Sequence, residues 1–180
     1  MEGEGIGLTN SSRVTIFTDG ACKGNPGRGG WAAVLIRNGE QQVISGGEPR
    51  TTNNRMELIA AIKGLEAAAI ATHPLQEIVL YTDSQYLVNT MTKGWKRNAN
   101  LDLWERLDRL VKTRHITWKW VRGHNGTPGN ELADTIASRE AGLVGSDPSA
   151  PAAPSSGEAP KTARAKPSSP SLRRPRRSRL

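Results

Sequence analysis

Two stretches of this chain end alike. Ile16-Phe17-Thr18-Asp19-Gly20 and Leu80-Tyr81-Thr82-Asp83-Ser84 are each an apolar run that finishes on Thr-Asp before a small residue. The first alternates from Val14: Val14 and Ile16 point to one side and Phe17 to the other, the period of a β-strand. The second begins at Ile78 and is continuously apolar, as expected for a strand covered on both faces. If the two strands lie parallel and adjacent, both aspartates leave at one carboxyl edge. That edge is where open α/β sheets bind ligands.

The rest of the chain can be arranged around this pair. Residues 21–30 hold four glycines and a proline and are expected to form a turn. Trp31 to Ile36, the Asn38-Gly39 hairpin signal and Gln41 to Ser45 then complete a three-stranded antiparallel meander. Thr51 to Thr72 is helical, with Leu58, Ile62, Leu65 and Ala69 on one face, a Thr51 or Thr52 cap and Pro74 at its end. A short helix is expected over Gln85 to Met91, capped by Ser84. Leu101 to Val111 is a further helix, and Ile116 to Val121 a fifth strand. Thr127-Pro128 opens a last helix that Gly142 should stop. Trp104, Trp118 and Trp120 are assigned to the core. The expected architecture is α/β, a five-stranded mixed sheet with helices on both faces.

Charge divides the chain. Residues 143–180 carry a net +6 of the chain's +8 and seven of its eleven prolines. Pro, Ala, Ser and Arg dominate there, so this tail is expected to be disordered. Residues 1–12 are polar and glycine-rich and are taken as a flexible leader rather than a signal peptide. The domain is therefore expected over 13–142. Its basic tail points to a polyanionic partner. No window approaches the apolar length of a membrane helix. The single cysteine, Cys22, excludes an intramolecular disulfide and fits a reducing, cytoplasmic compartment.

A poorly solvated aspartate at a strand end needs a cation, a proton or a metal ion. A metal is the reading that explains most residues. Glu57 lies one turn into the long helix, on a face whose Ala61 and Gly64 are small enough for close approach to the sheet. Asp134 lies in the last helix, beyond His124-Asn125-Gly126. Taken singly, each is compatible with a turn, cap or solvated residue; their joint pattern is the signal. An all-oxygen set suits Mg²⁺, and no Cys/His cluster supports zinc.

The wording around these residues is similar to type 1 ribonuclease H. The matching blocks are Thr18-Asp19-Gly20-Ala21-Cys22-Lys23-Gly24-Asn25-Pro26-Gly27, Thr51-Thr52-Asn53-Asn54-Arg55-Met56-Glu57-Leu58 and Tyr81-Thr82-Asp83-Ser84-Gln85-Tyr86. Asp102-Leu103-Trp104 and Gly123-His124 through Asn130-Glu131 to Asp134 follow in the same order. The resemblance implies a ribonuclease H-like fold and hydrolysis of the RNA strand of RNA–DNA hybrids, leaving 5′-phosphate and 3′-hydroxyl ends. It implies two Mg²⁺ ions, with Mn²⁺ as an alternative, held by Asp19, Glu57, Asp83 and Asp134, and His124 assisting proton transfer or product release. It also implies substrate contacts. Asn25, Asn53, Asn54 and Gln85 would face the minor groove, where 2′-hydroxyls are displayed. Cys22 is a further substrate-binding position, and Gly20, lacking a side chain, would let a nucleic-acid backbone come close to Asp19. Arg50, Thr52 and Asn100 would form a phosphate pocket, and Trp95 would stack on a DNA sugar. A monomer is expected. The alternative is a hybrid- or duplex-RNA-binding module without catalysis.

The chain departs from the family in one place. Only fifteen residues separate Tyr86 from Asp102, so the basic handle found in many relatives is expected to be missing. Lys93, Lys96 and Arg97 remain there, and the tail arginines are expected to add nonspecific contacts to nucleic acid.

Overall fold

The structure is a computed structural model, and it describes residues 13–71 and 76–144. The expected leader, the tail beyond Val144 and the Pro74 helix stop lie outside these residues. Nine elements occur among those described: β1 (Val14–Gly24), β2 (Gly27–Arg37), β3 (Glu40–Thr51), α1 (Asn53–Ala71), β4 (Ile78–Thr82), α2 (Gln85–Lys93), α3 (Leu101–Val111), β5 (Ile116–Trp120) and α4 (Pro128–Leu143). The sheet has five strands in the order β3-β2-β1-β4-β5. β1 pairs antiparallel with β2 and parallel with β4, and β4 pairs parallel with β5. The twin strands are therefore neighbours, in the register Ile16↔Leu80 and Thr18↔Thr82.

Alternation along β1 assigns its faces. Val14 and Ile16 join Ala33, Leu35 and the buried residues of α1 and α3 in the main core. Phe17 packs on the other face with Ala32, Val34 and the Ala133 and Ala137 of α4. The sheet is thus covered on both sides. Leu58, Ile62 and Leu65 are fully buried, each worth about 1.5–3 kcal/mol relative to exposure. Helix α1 departs from the expected single apolar face, since every residue from Met56 to Ile62 is buried. It lies between the sheet and α3, so both of its sides are covered.

The glycine-rich stretch after Asp19 is not a loop. β1 continues through it to Gly24, the turn is confined to Asn25-Pro26, and β2 begins at Gly27. These glycines serve close packing instead. A Cβ on Gly30 would lie 2.1 Å from the Ala137 carbonyl oxygen of α4. Gly142 likewise fails to stop α4, which reaches Leu143 with Val144 N–H donating to the Glu140 carbonyl. The buried Ala133, Ala137 and Ala141 seat α4 on the sheet and hold its last turn.

Of the three tryptophans assigned to the core, Trp104 is buried, and Trp118 packs against the core from its edge. Trp120 is 46% exposed. By strand alternation it shares the face of Trp118, but it ends β5 and stands past the rim of the core. Arg97 is also placed differently from expectation. It chelates Asp108 (Nη2–Oδ1 3.0 Å) and lies 4.7 Å from the centroid of the Trp104 ring. It therefore anchors the connector between α2 and α3, leaving Lys93, Lys96 and Trp95 exposed there.

Candidate active site

Four carboxylates meet at the carboxyl edge of β1 and β4, each from a different element. Asp19 lies inside β1, opposite Ala32 of β2 and one residue past the last β1–β4 pair. It is not at a strand end: the antiparallel ladder with β2 continues past it to Gly24, so its backbone is held by pairing before and after it in the chain. β4 stops at Thr82, which makes Asp83 the first residue beyond its strand. Ser84 follows as the α2 cap, its Oγ accepting from Leu87 N–H. Glu57 enters from α1 and Asp134 from α4.

Gly20 brings α1 into place. A Cβ there would sit 2.3 Å from the Glu57 nitrogen. The room left by its missing side chain is thus filled by α1, rather than open to a nucleic-acid backbone. Gly64 does the same further along, where a Cβ would meet the Ile16 side chain at 2.9 Å. Asp19, Glu57 and Asp83 consequently offer oxygens that all lie within 4.8 Å of one another. Asp134 lies near enough for its charge to act on Asp19. His124 has φ 51° in the loop before α4, with Nδ1 3.4 Å from Asp134 Oδ2 and its side chain 82% exposed.

Electrostatics in this cluster is unfavourable without a cation. Burial, then Asp83 and Asp134, push the Asp19 carboxyl up to about 8, against the opposing pull of the Gly20 N–H. Burial and the charges of Asp19 and Asp83 hold Glu57 well above the usual carboxylate range, although Gly20 N–H and the Asn53 amide favour its charged form. Burial also raises Asp83, offset in part by its hydrogen bond with Asp19. Glu57 Oε2 is buried with no hydrogen-bond partner. A buried carboxylate oxygen without a donor is costly, and a hard divalent cation is the ligand that such an oxygen set accepts. These residues therefore fit a divalent metal.

The RNase H family model matches residues 11–142. The chain belongs to the RNase H family. It is 51% identical over 142 residues to a ribonuclease H of Pseudomonas putida strain W619, covering 72% of this chain and 93% of the relative. Among solved structures it is similar to the N-terminal RNase H domain of Mycobacterium tuberculosis rv2228c (TM-score 0.67, 27% identity, 74% of this chain and 96% of that one). It shares its fold with LC11-RNase H1 in complex with an RNA/DNA hybrid (TM-score 0.60, 22% identity, 70% of this chain and 97% of that one).

The remaining candidate positions of this RNase H fall into groups along the same edge. Asn25, at the hairpin turn, accepts from the main-chain N–H of Asn53 at 3.3 Å. Cys22 is half-buried, and its thiol donates to the Gly24 carbonyl. Thr52 caps α1: its carbonyl accepts from Arg55 and Met56 N–H, and its hydroxyl lies 3.4 Å from Arg55 N. Asn100 opens α3 in a left-handed conformation, with Oδ1 3.5 Å from Arg55 Nη1. Asn54, Arg50 and Gln85 are exposed, and Trp95 is 50% exposed.

Sequence reasoning missed how two of the matching blocks join. Arg55 forks onto Asp102 through two hydrogen bonds of 3.1 and 3.0 Å, tying α1 to α3 beside Asn100. Opposite charges in the two blocks were the available signal, but sequence does not show that they face each other. Trp120 and Gly123, beside Asp83, were missed as well. Nothing in the strand pattern of 116–121 sets Trp120 apart from Trp118.

The carboxylates predict how stability responds to pH. Asp19, Glu57 and Asp83 all have folded-state pKa values above their ordinary ones. At these three groups the folded protein binds more protons than the unfolded chain, so their contribution to stability falls as pH rises between those limits, while Asp102, lowered by Arg55, acts the other way only in the acid range. For Asp19 the window runs from 3.8 to about 8. The melting temperature in EDTA is expected to drop from pH 4 to pH 8, and millimolar Mg²⁺ is expected to restore it most strongly at pH 8. Thermal melts across this range check both trends.

Proposed function

We propose that this RNase H is an endonuclease that hydrolyses the RNA strand of RNA–DNA hybrids, leaving 5′-phosphate and 3′-hydroxyl ends. The observation that carries the reading is the convergence of Asp19, Glu57 and Asp83, with Glu57 Oε2 buried without a donor and the charge of Asp134 acting on Asp19. Two divalent ions, Mg²⁺ or Mn²⁺, would supply charge neutralisation for the attacking water and the leaving 3′ oxygen. Asp19, beside Glu57 and Asp83 and within reach of the Asp134 charge, would contribute its carboxylate to holding the ions. Glu57 and Asp83 would hold one ion and Asp134 the other. Their rigid supports keep the oxygens preorganised, which is how such a site lowers a barrier. His124 stands at the exposed rim against Asp134 and is suited to carry a proton to the departing product.

Substrate would lie along the same edge. Asn25, Asn53, Asn54, Gln85 and Cys22 offer donors and acceptors for the minor groove, where RNA and DNA strands differ in their 2′-hydroxyls. Gly20, buried under α1, would act through its N–H on the carboxylates. Arg50, Thr52 and Asn100 would hold a DNA-strand phosphate, and Trp95 a sugar. The basic tail would add nonspecific phosphate contacts, in a monomeric cytoplasmic enzyme.

End-labelled hybrid, duplex RNA and duplex DNA incubated with Mg²⁺ or with EDTA test the proposal. The expected outcome is cleavage of the RNA strand of the hybrid alone, and only with metal. Hybrid binding without any cleavage would instead mark a binding module, and cleavage of duplex DNA would assign the site to a different nuclease chemistry.

A further inference from the structure

Three of the four carboxylates sit inside continuous elements; Asp83 does not. The β4–β5 ladder ends at the pair Thr82↔Trp120, with one last bond from Val121 N–H to the Thr82 carbonyl. Past that point the Asp83 backbone has lost its neighbouring strand. A side chain takes over: the Trp120 indole Nε1–H donates to the Asp83 carbonyl at 3.0 Å. The indole has this single donor, and the bond to Asp83 uses it. This accounts for a large apolar ring kept 46% exposed at the end of β5. Three residues on, Gly123 abuts the carboxylate itself. A Cβ at Gly123 would lie 2.5 Å from Asp83 Oδ2, so any side chain there would displace the carboxylate or the loop that carries His124.

We infer that Trp120 and Gly123 are positioning residues for Asp83. Trp120 fixes the main chain of Asp83 and Gly123 leaves the space its carboxylate needs. The same turn carries His124 one residue later, so the segment from Trp120 to His124 sets Asp83 and His124 with respect to each other. This inference rests on the metal-dependent reading of the site given above.

The test uses the full chain and the variants Trp120→Phe, which keeps a ring and deletes the N–H, and Gly123→Ala. Two quantities are read: kcat and KM on hybrid with Mg²⁺, and the rise in melting temperature that Mg²⁺ produces without substrate. A displaced catalytic group costs up to about 10²-fold. Trp120→Phe is expected to lower kcat about 10-fold with KM within about twofold, and Gly123→Ala to lower it further. Both should reduce the Mg²⁺-induced rise. In the Asp83→Ala background, Gly123→Ala is expected to lose most of its effect on melting temperature, because the group it collides with is gone. Wild-type kcat and an undiminished Mg²⁺-induced rise in Trp120→Phe would overturn the role of the indole. An undiminished effect of Gly123→Ala in the Asp83→Ala background would overturn that of Gly123. A wild-type protein that neither cleaves nor is stabilised by Mg²⁺ would instead overturn the reading of the site on which this rests.

Discussion

Asp19→Asn is expected to lower hybrid cleavage by at least about 10³-fold, the upper end of what one electrostatic group supplies, and to raise the melting temperature of the metal-free protein. The two effects have one cause. Asp19 is 5% exposed and faces Asp83 and Asp134. Without metal, its charge is opposed by burial and by two like charges. Asparagine has nearly the same shape and no charge, so the apo fold is relieved. With metal, the missing charge would remove one of the carboxylates that hold it. The stabilisation by Mg²⁺ should shrink in parallel. Single-turnover cleavage of labelled hybrid and thermal melts in EDTA and in Mg²⁺ measure both sides. Activity within about tenfold of wild type would remove Asp19 from the mechanism, since deleting one electrostatic group from such a site costs about 10²–10³-fold. A fall in metal-free melting temperature would contradict the electrostatic account.

Gly20→Ala carries the second large effect. The added methyl would point at the main chain of Met56 and Glu57, with contacts of 2.3 and 2.5 Å. No side-chain rotation relieves a collision with backbone, so β1 and α1 must separate. Overpacking of this kind costs about 1–3 kcal/mol, and α1 is the most buried helix of the fold. The separation also moves Glu57 from Asp19, so kcat is expected to fall about 10²-fold. Circular dichroism melts give the first quantity and hybrid cleavage at saturating Mg²⁺ the second. Wild-type stability would mean that α1 is not held against β1 at this point.

Much of the fold can be read before the structure because its signals are local. The alternation of Val14 to Phe17 and the apolar run Ile78 to Tyr81 follow from which faces are covered. The caps at Thr52 and Ser84 and the start of α4 at Pro128 are set by the chemistry of the chain within one turn. The glycine-rich segment departs from expectation for the opposite reason. Glycine serves both turns and close approaches, and only the partner tells which: Met56 and Glu57 for Gly20, and Ala137 for Gly30, are distant in sequence. Trp120 fails in the same way. Its exposure depends on where the core ends, which strand alternation does not record.

The candidate site divides along the same line. Residue types and local pattern already show which residues carry charge and which elements deliver them: Thr-Asp at the ends of two alike runs, a glutamate one turn into a helix, and an aspartate in the last one. That Asp19 stays within a paired strand while Asp83 projects past its own is visible only once the elements are packed together. The same holds for the room that Gly20 makes for α1, and for the way Trp120 and Gly123 close around Asp83. The reason is physical. Charge and propensity belong to a residue and its chain neighbours. Burial, like-charge repulsion and excluded space belong to pairs that only folding brings together.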